Sequence, residues 1–155
     1  GSQREILHRL VPANSRAVKL KRAIRAPVVG GNLATLVSLL GRRDFKLRLS
    51  KKILFLEDRG ERAYRVDRML EQLRAAGVLQ GLQGLLFGPF DGGEEPDGKN
   101  WIPATLQRWA DFLPYPVWTG VQSGHGEYLR PLVFGATSVI DSQVLISENP
   151  LSRWK

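Results

Sequence analysis

Cysteine is absent from these 155 residues. Disulfides, thiolate nucleophiles and cysteine-ligated metals are therefore excluded, and a reducing, cytoplasmic setting is expected. No apolar run approaches the ~18 residues of a membrane helix. No apolar stretch follows the first basic residues in the manner of a secretory leader, so no membrane is expected as a partner. A Gly-x-Ser-x-Gly elbow is also lacking, and histidine occurs only twice, as His8 and His125. Acidic residues are scarce at one end. Residues 1–52 hold 13 Lys and Arg against Glu5 and Asp44, a net of about +11, whereas residues 53–155 carry about −3. A basic half suits a nucleic acid, an anionic small substrate or an acidic partner domain. No aromatic residues interleave the run from Arg16 to Arg25, which argues against a single-strand stacking platform.

What is present describes one globular domain: 43% hydrophobic and 25% charged residues, in a chain long enough to bury a core. Gly1-Ser2 reads as a cloning scar. Residues 1–25 form a basic N-terminal segment, in which Glu5 to Leu10 suggests a helical turn or two and Ser15 to Ala26 a basic helix or an irregular crossover. Residues 26–155 carry the main pattern. Val28 to Gly31 reads as a short strand into a tight turn, and Asn32 as the N-cap of a helix with Leu33, Leu36, Val37 and Leu40 on one face before Gly41 stops it. Ile53-Leu54-Phe55-Leu56 is a buried strand. A helix over Ala63 to Ala76 follows, with Val66, Met69, Leu70 and Leu73 as its core stripe and Gly77 at its end. Leu82 to Phe87 is a second strand, Asp91 to Asn100 a polar loop, Pro103 to Phe112 a helix and Tyr115 to Gly120 a third strand. Leu132–Phe134, Ser138–Ile140 and Val144–Ile146 suggest short strands with an antiparallel finish. The fold class is α/β: a mostly parallel sheet flanked by helices, with short antiparallel strands at the C-terminal end.

Chemistry-bearing residues gather at strand ends. In open α/β sheets, ligands bind beyond the carboxyl ends of strands, and Glu57-Asp58 stands there. Strand alternation sends the two side chains apart, so Glu57 can face a site while Asp58 and Glu61 cap the helix that follows. His125 sits between Gly124 and Gly126, in a loop after a strand. With Glu57 as its partner it could act as a general base, oriented and charge-stabilised by the carboxylate. Ser123 is too close along the backbone to pair easily with His125 as a nucleophile. A metal site from Glu57 and His125 would need a third ligand; none is evident, and neither a metal nor another cofactor is expected. Gly30-Gly31-Asn32 opens a helix whose backbone N–H groups could receive an anion.

Three motifs, in order, carry a resemblance: Val29-Gly30-Gly31-Asn32-Leu33-Ala34-Thr35-Leu36; Ile53 to Asp58 with Tyr64-Arg65-Val66-Asp67-Arg68-Met69-Leu70; and Ser123-Gly124-His125-Gly126. Over roughly residues 26–141 the chain resembles the C-terminal domain of the LD-carboxypeptidases, or muramoyltetrapeptide carboxypeptidases. The resemblance implies a Ser-Glu-His hydrolase that removes the terminal D-alanine from murein tetrapeptides in peptidoglycan recycling, with the serine in an N-terminal domain absent here. Related members act on peptide–nucleotide antibiotics. By motif, Glu57 is the triad carboxylate and His125 the base, and Gly31 and Asn32 are candidate substrate-binding positions. The chain departs from the family where Arg42-Arg43 replace a small hydroxyl residue after Gly41, and near Leu129, where an asparagine is usual.

The expected reading is thus the C-terminal half of a serine LD-carboxypeptidase-like hydrolase, inactive by itself. Its partners would be a murein peptide, the missing N-terminal domain and, in a homodimer, a second copy. A non-catalytic cell-wall-peptide-binding domain and a basic nucleic-acid-binding domain are the alternatives, the nucleic acid being the less favoured partner.

Overall fold

The computed structural model describes residues 5–44, 47–125 and 129–148. In chain order the elements are β1 (Glu5–Arg9), β2 (Val11–Pro12), α1 (Ser15–Val18), β3 (Ile24–Asn32), α2 (Leu33–Ser38), β4 (Ile53–Arg59), α3 (Ala63–Ala75), β5 (Gly84–Asp91), α4 (Ile102–Phe112), β6 (Val117–Thr119), β7 (Thr137–Asp141) and β8 (Val144–Glu148). They form one eight-stranded sheet in the order β1-β8-β7-β3-β4-β5-β6-β2. The middle is parallel, β3 to β4 to β5 to β6. Antiparallel ladders flank it on both sides. The expected α/β class therefore holds, and the antiparallel wing includes the C-terminal hairpin β7–β8. Among the described residues, no helix is long and apolar enough to cross a membrane.

Strand alternation divides the interior into two cores. Leu54, Leu56, Leu85, Phe87 and Val117 point to the helix side, where they meet Leu33 of α2, Val66, Leu70 and Leu73 of α3, and Leu106 and Trp109 of α4. The intervening Ile53, Phe55, Leu86 and Trp118 point the other way. They meet Ile140 and Leu145 from the antiparallel wing, which curls over that face. Each such side chain contributes roughly 1.5–3 kcal/mol when fully buried. Gly30 makes the close β3–β4 approach possible: its φ is +136°, and a Cβ there would fall on the Phe55 carbonyl. At its end α3 closes through Gly77 N–H to the Arg74 carbonyl and Val78 N–H to the Leu73 carbonyl, both at 3.0 Å.

Three expectations are corrected. Glu5 to Leu10 is not helical: β1 pairs residue by residue with β8, from Glu5 opposite Glu148 to Arg9 opposite Val144. Its burial follows a two-residue period, with His8 and Leu10 inside and Leu7 outside. The partner strand lies at the other end of the chain, where no local pattern reveals it. Leu132–Phe134 forms no strand. It crosses over the sheet, with the Phe134 ring 6.2 Å from that of Phe55 and Gly135 N–H bonded to the Val28 carbonyl at 2.9 Å. The basic stretch after Asn14 is helical for one turn only, because Ile24 already enters β3. Asn14 itself is a buried junction. Its amide donates to the Ala110 and Tyr115 carbonyls at 2.8 and 2.9 Å and accepts from Ala17 and Val117 N–H at 3.0 and 3.3 Å.

His8 is 2% exposed. Burial, reinforced by the nearby Arg130 guanidinium, outweighs the favourable Pro131 carbonyl and holds its pKa below the ordinary 6.5. The unfolded chain thus binds the proton more readily. Stability is complete above the ordinary value and is lost as pH falls below it. In urea unfolding, wild type is expected to lose stability between about pH 7.5 and pH 5, and His8→Gln to lose less over the same interval. An identical pH slope for the two proteins would contradict this.

Candidate active site

β4 is the central parallel strand, and its carboxyl end delivers two adjacent acids. Between Leu56 and Asp58 the ladder to β5 shifts register, as at a β-bulge. Glu57 and Asp58 are each 4% exposed, and each finds its own partners. Asp58 accepts from the Asn32 side-chain amide at 3.0 Å, Ala34 N–H at 2.9 Å and Arg59 N–H at 2.8 Å. It therefore caps α2, which precedes it in sequence, rather than α3, which follows. α3 begins at Arg62 without a side-chain cap. Glu61 pairs instead with Arg65 one turn on, at 3.4 Å.

Glu57 turns to the opposite side. Its Oε2 lies 2.7 Å from Nδ1 of His125, which reaches it from the loop between β6 and β7. A carboxylate can only accept, so Nδ1–H donates, and in the neutral ring Nε2 is then the nitrogen with the lone pair. The acid is enclosed while the imidazole side chain is half exposed. That polarity matters chemically: the carboxylate fixes the tautomer and offsets imidazolium charge, and the ring can still exchange a proton with whatever stands outside.

Two glycines let the pair close. Gly124 has φ +95°, and a Cβ on it would stand 2.7 Å from Glu57 Cγ and 2.9 Å from Oε2. The loop backbone thus rests directly on the carboxylate. Gly88 of β5 does the same from the side: a Cβ would lie 3.2 Å from that of Glu57 and 2.6 Å from the Phe55 ring. Gly124 was legible as a histidine-flanking glycine. Gly88 carries a weaker signal, that of a glycine inside a strand, which marks a close approach. Gly126 lies outside the described residues.

Asn32 is opposite Glu57 in the β3–β4 register, and Gly31 is opposite Leu56. The Asn32 amide oxygen accepts from Thr35 N–H at 2.9 Å and the Thr35 hydroxyl at 3.1 Å, as the helix cap expected of it. A Cβ on Gly31 would meet nothing within 4 Å, so this position borders open space. Asp67 accepts from Arg108 at 2.6 Å and from the Trp109 indole at 2.8 Å, which ties α3 to α4. Among the described residues, no group of three His, Asp or Glu side chains could hold a metal ion.

Comparison with known proteins gives concordant matches. Residues 25–140 match the family model of the LD-carboxypeptidase C-terminal domain. A Rickettsia conorii protein named as a carboxypeptidase is 32% identical over 131 residues, covering 84% of this chain and 39% of that protein. The murein tetrapeptide carboxypeptidase of Pseudomonas aeruginosa is 27% identical over 125 residues, 81% of this chain and 41% of its own length. The crystal structure of muramoyltetrapeptide carboxypeptidase from Oxalobacter formigenes superposes with a TM-score of 0.75 at 28% identity, covering 96% of this chain and 52% of that one. The chain thus spans about two fifths of the curated relatives it matches.

Gly124→Ala is expected to place a methyl group on the Glu57 carboxylate, in a backbone conformation that alanine resists. Urea unfolding should show a loss of about 1–3 kcal/mol, and the His125 ring resonances should shift as the imidazole leaves Glu57. Ring resonances matching wild type would show that this contact does not hold the histidine.

Proposed function

The chain belongs to the LD-carboxypeptidase family as its C-terminal domain, and from that membership we propose that it supplies the acid–base half of a serine carboxypeptidase. The observation that carries the reading is the 2.7 Å bond between Glu57 and His125. A buried acid behind a half-exposed imidazole is the arrangement a hydroxyl nucleophile requires. The nucleophile is a serine on a domain outside these residues, and the site forms where the two domains meet.

In the proposed reaction the serine hydroxyl proton passes to His125 Nε2 as its oxygen attacks the carbonyl carbon before the terminal D-alanine of a murein tetrapeptide. The tetrahedral intermediate collapses as His125 returns that proton to the departing amine. The C–N bond breaks and a serine ester remains. Water then attacks the ester, giving a proton to His125, and the serine oxygen leaves with that proton. Throughout, Glu57 keeps Nδ1 protonated and offsets the imidazolium charge. The open edge at Gly31 and Asn32 receives the peptide backbone. The basic first third favours the carboxylates of the peptide or an acidic face of the missing domain. Peptidoglycan recycling in the cytoplasm is the corresponding setting, and the isolated 155 residues should hydrolyse nothing.

In the full-length protein, Glu57→Ala and His125→Ala are each expected to lower kcat for D-alanine release by about three to four orders of magnitude. Wild-type turnover in either variant would remove these roles. D-alanine release by the isolated chain would refute the division of labour between domains. Muropeptide binding without turnover in the intact protein would favour a non-catalytic peptide-binding domain.

A further inference from the structure

The loop that presents His125 is tied down at both stems by a single stretch of the N-terminal segment. On the outgoing stem, Val11 of β2 pairs with Thr119 of β6, and a Cβ on Gly120 would lie 3.3 Å from Val11 Cγ2 and 3.5 Å from the Arg9 carbonyl oxygen. On the returning stem, His8 Nε2 lies 2.8 Å from the Pro131 carbonyl oxygen. There too, Arg130 Nη1 donates to the Leu7 carbonyl at 3.2 Å. The stems are also tied to each other, by Arg130 N–H donating to the Gln122 carbonyl at 2.7 Å. All of Leu7 to Val11 lies before the part of the chain that the family model matches, residues 25–140.

His8 is a costly way to fill its position. Nε2–H donates to the Pro131 carbonyl, which leaves Nδ1 as a bare acceptor, buried and without a hydrogen-bond partner among the described residues. A leucine would fill the space without the unmatched Nδ1, but would leave the Pro131 carbonyl without its donor. What His8 adds over leucine is a directed bond to one carbonyl. That carbonyl belongs to a proline, whose fixed φ limits how the returning stem can shift. From this geometry we propose that His8 is a positioning residue for His125: it anchors the Pro131 stem so that the imidazole stays seated on Glu57. The inference rests on the acid–base reading of that pair.

The chain has two histidines, so replacing His8 leaves His125 as the only imidazole. The reporter is the Nδ1–H proton of His125, which a bond to a carboxylate moves downfield and protects from exchange with water. Wild type should show this resonance, and Glu57→Ala should abolish it. In His8→Leu, folded by circular dichroism, its exchange should quicken on the order of tenfold, because the stem loses its bond and the Pro131 carbonyl loses its donor. His8→Gln, whose side-chain N–H can reach the same carbonyl, should restore the wild-type rate. A folded His8→Leu that exchanges as wild type does, or a His8→Gln as impaired as the leucine variant, overturns the proposal. Should His8→Leu not fold, Arg130→Ala carries the comparison: this exposed second anchor should quicken exchange about threefold, and an unchanged rate overturns the anchoring. A wild type without the protected proton, or its survival in Glu57→Ala, instead overturns the Glu57–His125 pairing and the function built on it.

Discussion

At the end of β4 two consecutive carboxylates are buried, and strand alternation sends them to different work. A buried carboxylate must find donors or lose its charge. Asp58 finds them at the start of α2, where Asn32, Ala34 and Arg59 satisfy it. Glu57 finds one in an imidazole brought from far along the chain. The same alternation therefore locks β3, α2 and β4 together through one acid and leaves the other aimed at the site.

The two cores explain how the histidine arrives. The helix-side core needs only the parallel middle of the sheet, built from locally connected strand–helix units. The second core closes only when β7 and β8 curl over to place Ile140 and Leu145 against Phe55 and Trp118. The chain crosses from β6 to β7 to make that closure, and His125 lies on the crossing. Site formation is thus coupled to the antiparallel wing. β1 shares in this, because it pairs with β8 and bonds to the loop's returning stem.

Enclosure and exposure are divided in a way that suits a shared site. Glu57 is sealed beneath Gly124 and beside Gly88, so its bond to the imidazole meets little competition from water. The His125 side chain remains half exposed, as the proposed role of a base serving a nucleophile on another domain requires.

The parallel strands, the α2 and α3 helices, the Asn32 cap and the Gly77 stop were legible because their signals are local: hydrophobic period, Asn32 before an apolar face, Gly77 after one. Glu57 and His125 stood out for the same reason, a polar residue placed at the end of an apolar strand or between glycines. Their pairing was offered from their chemistry at strand ends and reinforced by the resemblance, while nothing in the spacing of residues 57 and 125 requires contact. Which helix Asp58 caps, the strand character of Glu5–Arg9, the burial of Asn14 and the hold of His8 on Pro131 all depend on partners tens of residues away. Those were decided by the tertiary structure alone, because strand pairing and burial follow from the closure of the whole sheet, whereas helix periodicity and capping are completed within a few residues of chain.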